Sequence, residues 1–348
     1  MQRMRPQRLI TITLLFWSAI LVYAQPAWPP VGTAGKDFNV KDAKGKKQGL
    51  WYRTYQNGVL YYSGEFVDDK PKPKSTFRYY YESGSLMSVH KFREDHNIVD
   101  AEIYFEKGGL QAKGKYFKQL KDSLWLFYDE KQRLVSEEMF LSDMRSGTTK
   151  IYYPDGKLMH IGEYKADKLH GAFTEYFPDQ KKKTEGVCAE GLYQGKVIQY
   201  QTNGLKLTEG KYLNGVKEGE WLHYLENGKL QMQVLYKNGV QTKEVRHNGD
   251  FVDHYESGIP KLEITFEDGL EEGPFKEYYD QGEWQREQKP AEGPDSPLEW
   301  TEKLVNRQVS REGEYKGGKL HGDIVYYTTD GRIQKTETYE NGVLVNTR

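Results

Sequence analysis

Eight histidines, one cysteine and a few acidic pairs are the residues of this 348-residue chain best suited to covalent or metal chemistry. A transition-metal site needs several of His, Cys, Asp or Glu brought to one point, usually from short spacings such as HExxH or HxH. His90, His96, His160, His170, His223, His247, His254 and His321 form no such cluster. His170 and His321 share one local context, Lys-Leu-His-Gly, which marks a structural position that recurs. Nucleophilic catalysis needs a Ser or Cys held against a base, yet Gly-x-Ser-x-Gly is absent, as is any phosphate-cradling glycine loop ahead of a helix. Cys188 falls among positions otherwise held by Phe or Tyr and reads as a buried filler. Glu271-Glu272 and Asp68-Asp69 sit among turn residues, and Lys181-Lys182-Lys183 reads as a solvated strand edge. No catalytic residue, metal ligand or cofactor is expected, and the chain reads as a non-enzyme.

What the chain does hold is rings and glycines: 27 Tyr, 14 Phe and 7 Trp beside 35 Gly. Tyr with Gly favours strands joined by tight turns. With 50 basic against 51 acidic side chains there is no electrostatic footprint for nucleic acid, and one cysteine excludes a disulfide framework.

Residues 1–24 read as an address. Arg3, Arg5 and Arg8 precede the apolar run Leu9 to Val22, with cleavage expected after Ala24, and the run is short for a bilayer span. The Pro-rich stretch that follows makes 25–45 a linker and lead-in. Loss of the three arginines leaves 47 basic and 51 acidic groups, so the exported chain, periplasmic or secreted, carries a charge near −4.

From Lys46 to Arg348 one unit repeats. Counting an aromatic or apolar residue as position zero, the units fall at Trp51, Phe77, Glu102, Leu124, Thr149, Phe173, Val197, Trp221, Phe251, Phe275, Trp300 and Ile324, mostly 24 or 25 residues apart. Placing Trp300 in the series makes the stretch around Pro290, Pro294 and Pro297 a decayed repeat with a stiffened turn, the other reading being a genuine loop insertion. Seven residues past position zero stands a glycine, as at Gly58, Gly156 and Gly228, often after Asn or Asp, which predicts a two-residue type I′ turn. A second signal, such as Asn214-Gly215 or Asn238-Gly239, closes the unit. Two turns per unit leave two strands of about eight residues. The expected fold is all-β: an elongated antiparallel meander of about twelve tandem β-hairpins in one coiled sheet.

Pairing about the first turn sets Trp51 opposite Gly64, Phe173 opposite Gly186, Gly147 opposite Tyr164 and Gly219 opposite Tyr236, so each large ring is expected to cover the bare backbone across its own hairpin. One face then collects Trp51, Tyr55, Phe66 and their equivalents, an apolar column that must be covered by coiling of the sheet or by a second chain. The opposite face carries a column three past position zero: Tyr80, Phe105, Phe127, Tyr152, Tyr176, Tyr200, Tyr224, Tyr278 and Tyr327. Half-exposed cross-strand packing is one reading of it. A linear platform for a glycan or an extended peptide is the other.

The unit Gly-x-Trp-x-x-Tyr-x-x-Asn-Gly-x-Leu, closing with Gly-x-Tyr-x-x-Gly, resembles the MORN-repeat variant of bacterial proteins called YwqK-family antitoxins. Gly147 to Leu158, continuing to Gly162 and Tyr164, carries the pattern, as do Gly195 to Gly215 and the Lys-Leu-His-Gly joints at 168–171 and 319–322. The resemblance implies hairpin repeats and an interaction role, with protein or membrane-lipid binding. The expected function is a protein-interaction scaffold, possible kinds being antitoxin-like or immunity-like. Envelope-glycan binding and peripheral membrane association are the alternatives.

Overall fold

The computed structural model describes residues 37–288 and 300–348, so the expected export segment 1–24, most of the expected linker and the Pro290–Pro297 stretch lie outside the described residues. The chain divides into two compact units, Met1–Asp143 and Met144–Arg348. Every regular element among the described residues is a β-strand, and consecutive strands pair antiparallel. The first unit runs as a meander from Lys47–Thr54 and Leu60–Val67 to Leu120–Tyr128 and Leu134–Leu141. The second runs from Met144–Tyr152 to Val240–Arg246, then from Gly249–His254 to Val343–Thr347 in a further sheet. Between those sheets lie only His247 and Asn248, whose amides both donate to the Gln231 carbonyl.

The two turns of each hairpin differ in kind. At the first, Gly58 alone is left-handed, with φ 85°, and its amide donates to the Tyr55 carbonyl while the Tyr55 amide donates to Val59. That is a type I turn closed by a glycine bulge, not the expected type I′. Asn57 serves by accepting the Val59 amide on its Oδ1 at 3.0 Å. Type I′ belongs to the second turn, where both central residues have positive φ: Asn214 (50°) and Gly215 (82°), and even Ala166 (48°) and Asp167 (66°). An aspartate in that turn reaches back to the start of its own hairpin, as Asp69 accepts the Lys47 amide at 2.9 Å and Asp167 that of Arg145 at 2.9 Å.

Strand register corrects position zero in two units. Ala101 pairs with Gly114 and Trp125 with Glu138, as Trp51 pairs with Gly64 and Phe173 with Gly186. Glu102 and Leu124 therefore stand on the other face, one residue out of step. Trp300 is no position zero at all. Phe275 pairs with Gly313 directly, so Gly273–Tyr278 and Val309–Lys316 form one hairpin. The residues between them hold a separate two-stranded ribbon, Glu283–Gln288 with Trp300–Val305. The stretch around Trp300 is thus an insertion rather than a decayed repeat, and the described hairpins number eleven.

Glycines in the strands do two separate jobs, and the closest cover comes from the next hairpin rather than from the ring of the same one, although Phe173 does reach Gly186 across its own hairpin, 3.1 Å from a Cβ built there beside Val197 at 2.8 Å. Gly64, Gly114, Gly210 and Gly313 have ordinary φ, and a Cβ built on each would lie 2.2–2.3 Å from Phe77, Trp125, Trp221 and Ile324 respectively. Those side chains belong to position zero of the next hairpin. Gly49, Gly147, Gly171 and Gly219 instead have φ of 70°, 113°, 114° and 69°, and Gly171 and Gly219 stand where the ladder from one hairpin to the next slips register, between Gly162 and Tyr164 and between Glu209 and Lys211. At Gly49 and Gly219 the backbone conformation, not crowding, requires glycine: a Cβ there would meet nothing within 4 Å.

Rings meet edge to face along the column, Trp51 to Phe66 and Phe77 to Phe92 within hairpins and Phe66 to Phe77 between them, with centroids 5.0–6.2 Å apart. Cations four before position zero lie over the column: Lys121 above Trp125 and Phe140, and Lys217 above Trp221 at 4.4 Å. Neighbouring hairpins supply this cover, with Trp125 and Ile324 fully buried.

Gly210→Ala and Gly219→Ala separate the two roles. The first forces a methyl into Trp221 and should lower stability by roughly 1–3 kcal/mol. Gly219→Ala should cost about 1 kcal/mol, and Gly219→Asn less, because Asn tolerates left-handed backbone. Urea midpoints of the single variants read the difference, and a Gly210→Asn that is milder than Gly210→Ala would contradict the assignment.

Candidate interaction faces

With the register corrected, the column three past position zero is built from Tyr80, Tyr104, Tyr128, Tyr152, Tyr176, Tyr200, Tyr224, Tyr278 and Tyr327. Seven of the nine expected members stand in it. Phe105 does not: it begins the turn after its strand, its amide donating to Gly109. Phe127 lies on the opposite face, stacked 6.2 Å from Trp125 and packed on the core of Ala101, Ala112 and Phe140. Within the column Tyr80 and Tyr278 are buried, at 5% and 3% exposure, while Tyr152, Tyr176, Tyr200, Tyr224 and Tyr327 are half-buried.

Their hydroxyls are engaged. Tyr200 donates to Glu185 (2.5 Å), Tyr224 to Glu209, Tyr278 to Glu263 and Tyr327 to Glu312 (each 2.7 Å). The glutamates are held in turn by cations: Glu185 by Lys182, Glu209 by Lys196 and Lys206, Glu263 by Arg307 and Glu312 by Lys276. Burial pushes the phenols of Tyr200, Tyr224 and Tyr278 up, the carboxylate beside each adds to it, and all three reach about 12. On Glu209 burial pulls upward, but Lys196, Lys206 and Tyr224 outweigh it and leave the carboxyl at about 2. Over these four tyrosines the face is a laced Tyr–Glu–cation surface, whose phenolic oxygens are bonded inside the protein.

The ring four past position zero joins hairpins end to end. Tyr55 donates to the Tyr80 carbonyl, Tyr81 to Tyr104, Tyr153 to Tyr176 and Tyr255 to Tyr278, all at 2.7–2.8 Å. Tyr279 donates to Tyr327 at 2.7 Å in the same way, although 48 residues separate them, so the insertion leaves the array's own bond intact.

The inserted ribbon presents a different surface. Its register sets Trp284 opposite Leu304, Arg286 opposite Glu302 and Gln288 opposite Trp300, so both tryptophans share one face, and they are 52% and 58% exposed. Trp300 is thus not in the buried column that the period assigns it, and its spacing from Gly313 matches that period by coincidence of insert length.

Other expected positions are structural. Asp68 and Asp69 form a type I′ turn, and the Lys182 ammonium meets Glu185. Cys188 is buried, which pushes its thiol up. His170 pairs with Glu190 at 3.3 Å. Among the described residues no group of three or more His, Cys, Asp or Glu could hold a metal ion, and no helix is long and apolar enough to cross a membrane.

The fold and these faces define a tandem β-hairpin repeat protein. Residues 145–166 and 217–238 match the MORN repeat variant. Both windows begin four residues before a position zero, Thr149 or Trp221, and cover one hairpin with its first turn. No curated protein matches the chain. Among solved structures it is similar to a crystal structure of TcdB2-TccC3, at 11% identity and TM-score 0.19 over 87% of this chain and 18% of that one. A Tc holotoxin pore from Photorhabdus luminescens matches at 11% identity and TM-score 0.19, over 84% and 17%. The chain spans less than a fifth of the length of either.

Glu209 gives this face a measurable pH signature. Its folded pKa lies below the ordinary 4.5, so its contribution is fully present above that value and is lost as pH falls toward about 2. The stability gap between wild type and Glu209→Gln should be widest near pH 7 and close across that window. A gap that stays constant from pH 6 to about 2 in urea titrations contradicts the coupling.

Proposed function

We propose that the chain is a non-enzymatic, exported scaffold that binds a partner protein through the inserted ribbon, with the hairpin array as its support. The observation that carries this reading is the pair Trp284 and Trp300, more than half exposed on one face of a hairpin that the array does not need. Tryptophan rings each bury roughly 150–250 Å² when covered, on the order of 4–6 kcal/mol at ~25 cal/mol per Å². Rings of this kind dominate protein interfaces, and the Arg286–Glu302 pair between them adds the polar character of an interface rim. The Tyr column is the weaker candidate, because the hydroxyls of Tyr104, Tyr200, Tyr224, Tyr278 and Tyr327 are already bonded to glutamates. Export rests on the Arg3–Ala24 pattern of the sequence. A toxin-like partner, as for the antitoxins that the repeat resembles, would dock on the same tryptophans.

The test compares the full chain with Trp284→Ala/Trp300→Ala in binding to an envelope protein fraction, purified peptidoglycan and phospholipid vesicles. Saturable protein binding that falls about 100-fold or more in the double variant, at unchanged melting temperature, is expected. Equal protein binding by both forms, or tryptophan-dependent binding to peptidoglycan or vesicles alone, overturns it.

A further inference from the structure

One join in the first unit departs from the repeat in several respects at a single place. Where Gly64 and Gly114 stand in the flanking hairpins, the hairpin of Phe77 carries His90. Its partner across the next strand is Ala101, so the ring that would cover this position is missing. The ladder from Leu86–Phe92 to Ile98–Tyr104 runs without the usual slip, and the two-residue turn becomes a five-residue loop, 93–97.

These changes open a cavity of about 540 Å³, walled by Phe77, Tyr79, His90, Phe92 and Tyr116. The His90 ring lies 5.0 Å from that of Tyr79 and 5.8 Å from that of Tyr116. Neither of its nitrogens has a hydrogen-bond partner among the described residues, and burial pushes its pKa down, so the imidazole is neutral near pH 7, with one donor and one acceptor. His96 and Asn97 of the long loop border the cavity, as do Lys118 and Gln119 of the following turn. The Lys118 ammonium rests 5.3 Å from the Phe117 ring. No carboxylate lines the space.

We propose that this cavity binds a single pyranose ring of a sugar. The C–H face of a pyranose packs on aromatic walls, while each hydroxyl both donates and accepts, matching a neutral imidazole, the Gln119 amide and the Asn97 amide, whose Nδ2 donates once to Asp95 at 2.8 Å and keeps a second N–H and the carbonyl oxygen. A cation finds no carboxylate here. A purely apolar ligand leaves the His90 nitrogens unpaired on desolvation. The volume falls within the range of small-molecule sites and leaves room for bridging water.

Saturation-transfer NMR on the full chain, with methyl glycosides of glucose, galactose and N-acetylglucosamine beside phenylacetate and benzylamine, tests this. At least one glycoside should bind in the millimolar range and shift the His90 ring resonances. His90→Phe, which keeps a ring but removes the polar atoms, should weaken it about tenfold, and His90→Gln should retain most of it. Asn97→Ala, in the loop, should weaken it several-fold without changing the melting temperature. The proposal fails if no glycoside binds at tens of millimolar, if phenylacetate or benzylamine binds more tightly than every glycoside, or if affinity is indifferent to both His90→Phe and Asn97→Ala.

Discussion

The missing Cβ at Gly64, Gly114, Gly210 and Gly313 is the constraint on which the array depends, because each lets the first strand of the next hairpin lay a side chain on bare backbone. A two-stranded hairpin cannot order itself in water: fixing each backbone residue costs about 1–2 kcal/mol, and two strands bury too little to offset it. The contact between Trp221 and Gly210 crosses from one hairpin to the next, so stability is held in joins rather than in units, as in other one-dimensional repeats. The tyrosine four past position zero strengthens the same joins at their turn end, through bonds such as Tyr153 to the Tyr176 carbonyl.

Joins of this kind need complementary volumes rather than a fixed residue at position zero. Trp221, Ile324 and Val197 all fill it over a glycine. Where the glycine becomes His90, the opposing residue shrinks to Ala101, and volume is conserved only in part. The second glycine class answers to geometry alone. Its left-handed residues stand where inter-hairpin ladders slip register, and Ser123, with φ 63°, shows that the position accepts another residue at some strain.

Much of this was legible in the sequence. The period, the hairpin register of Trp51 with Gly64 and of Gly147 with Tyr164, and the all-β meander follow from the spacing of rings and glycines. The errors have physical causes. Leu124, Trp125, Leu126 and Phe127 are four apolar residues in a row, so alternation cannot say which face each takes, and a one-residue slip exchanges the faces. Both turns carry Asx-Gly signals, yet only the second twists as type I′, since in the first the Asn keeps negative φ and bonds the next strand's amide. Which ring covers which glycine was hidden because pairing within a hairpin and pairing between hairpins place a ring opposite the same residue: Gly186 faces Phe173 on one side and Val197 on the other.

The insertion shows where such an array can acquire function without losing cohesion. The ribbon leaves at Tyr279 and returns at Gln308, and the Tyr279 amide donates to the Gln308 carbonyl just as Tyr55 donates to Val59 in an uninterrupted hairpin. Loop-closure entropy grows only as the logarithm of length, so adding residues at that turn end costs little once the bond is closed. The same insertion inside a strand would remove ladder bonds and a join. Trp284 and Trp300 therefore answer to no packing demand of the sheet, and the exposure of two large rings there sets them apart from Trp125 and Trp221, which are buried because the fit to the preceding hairpin depends on them.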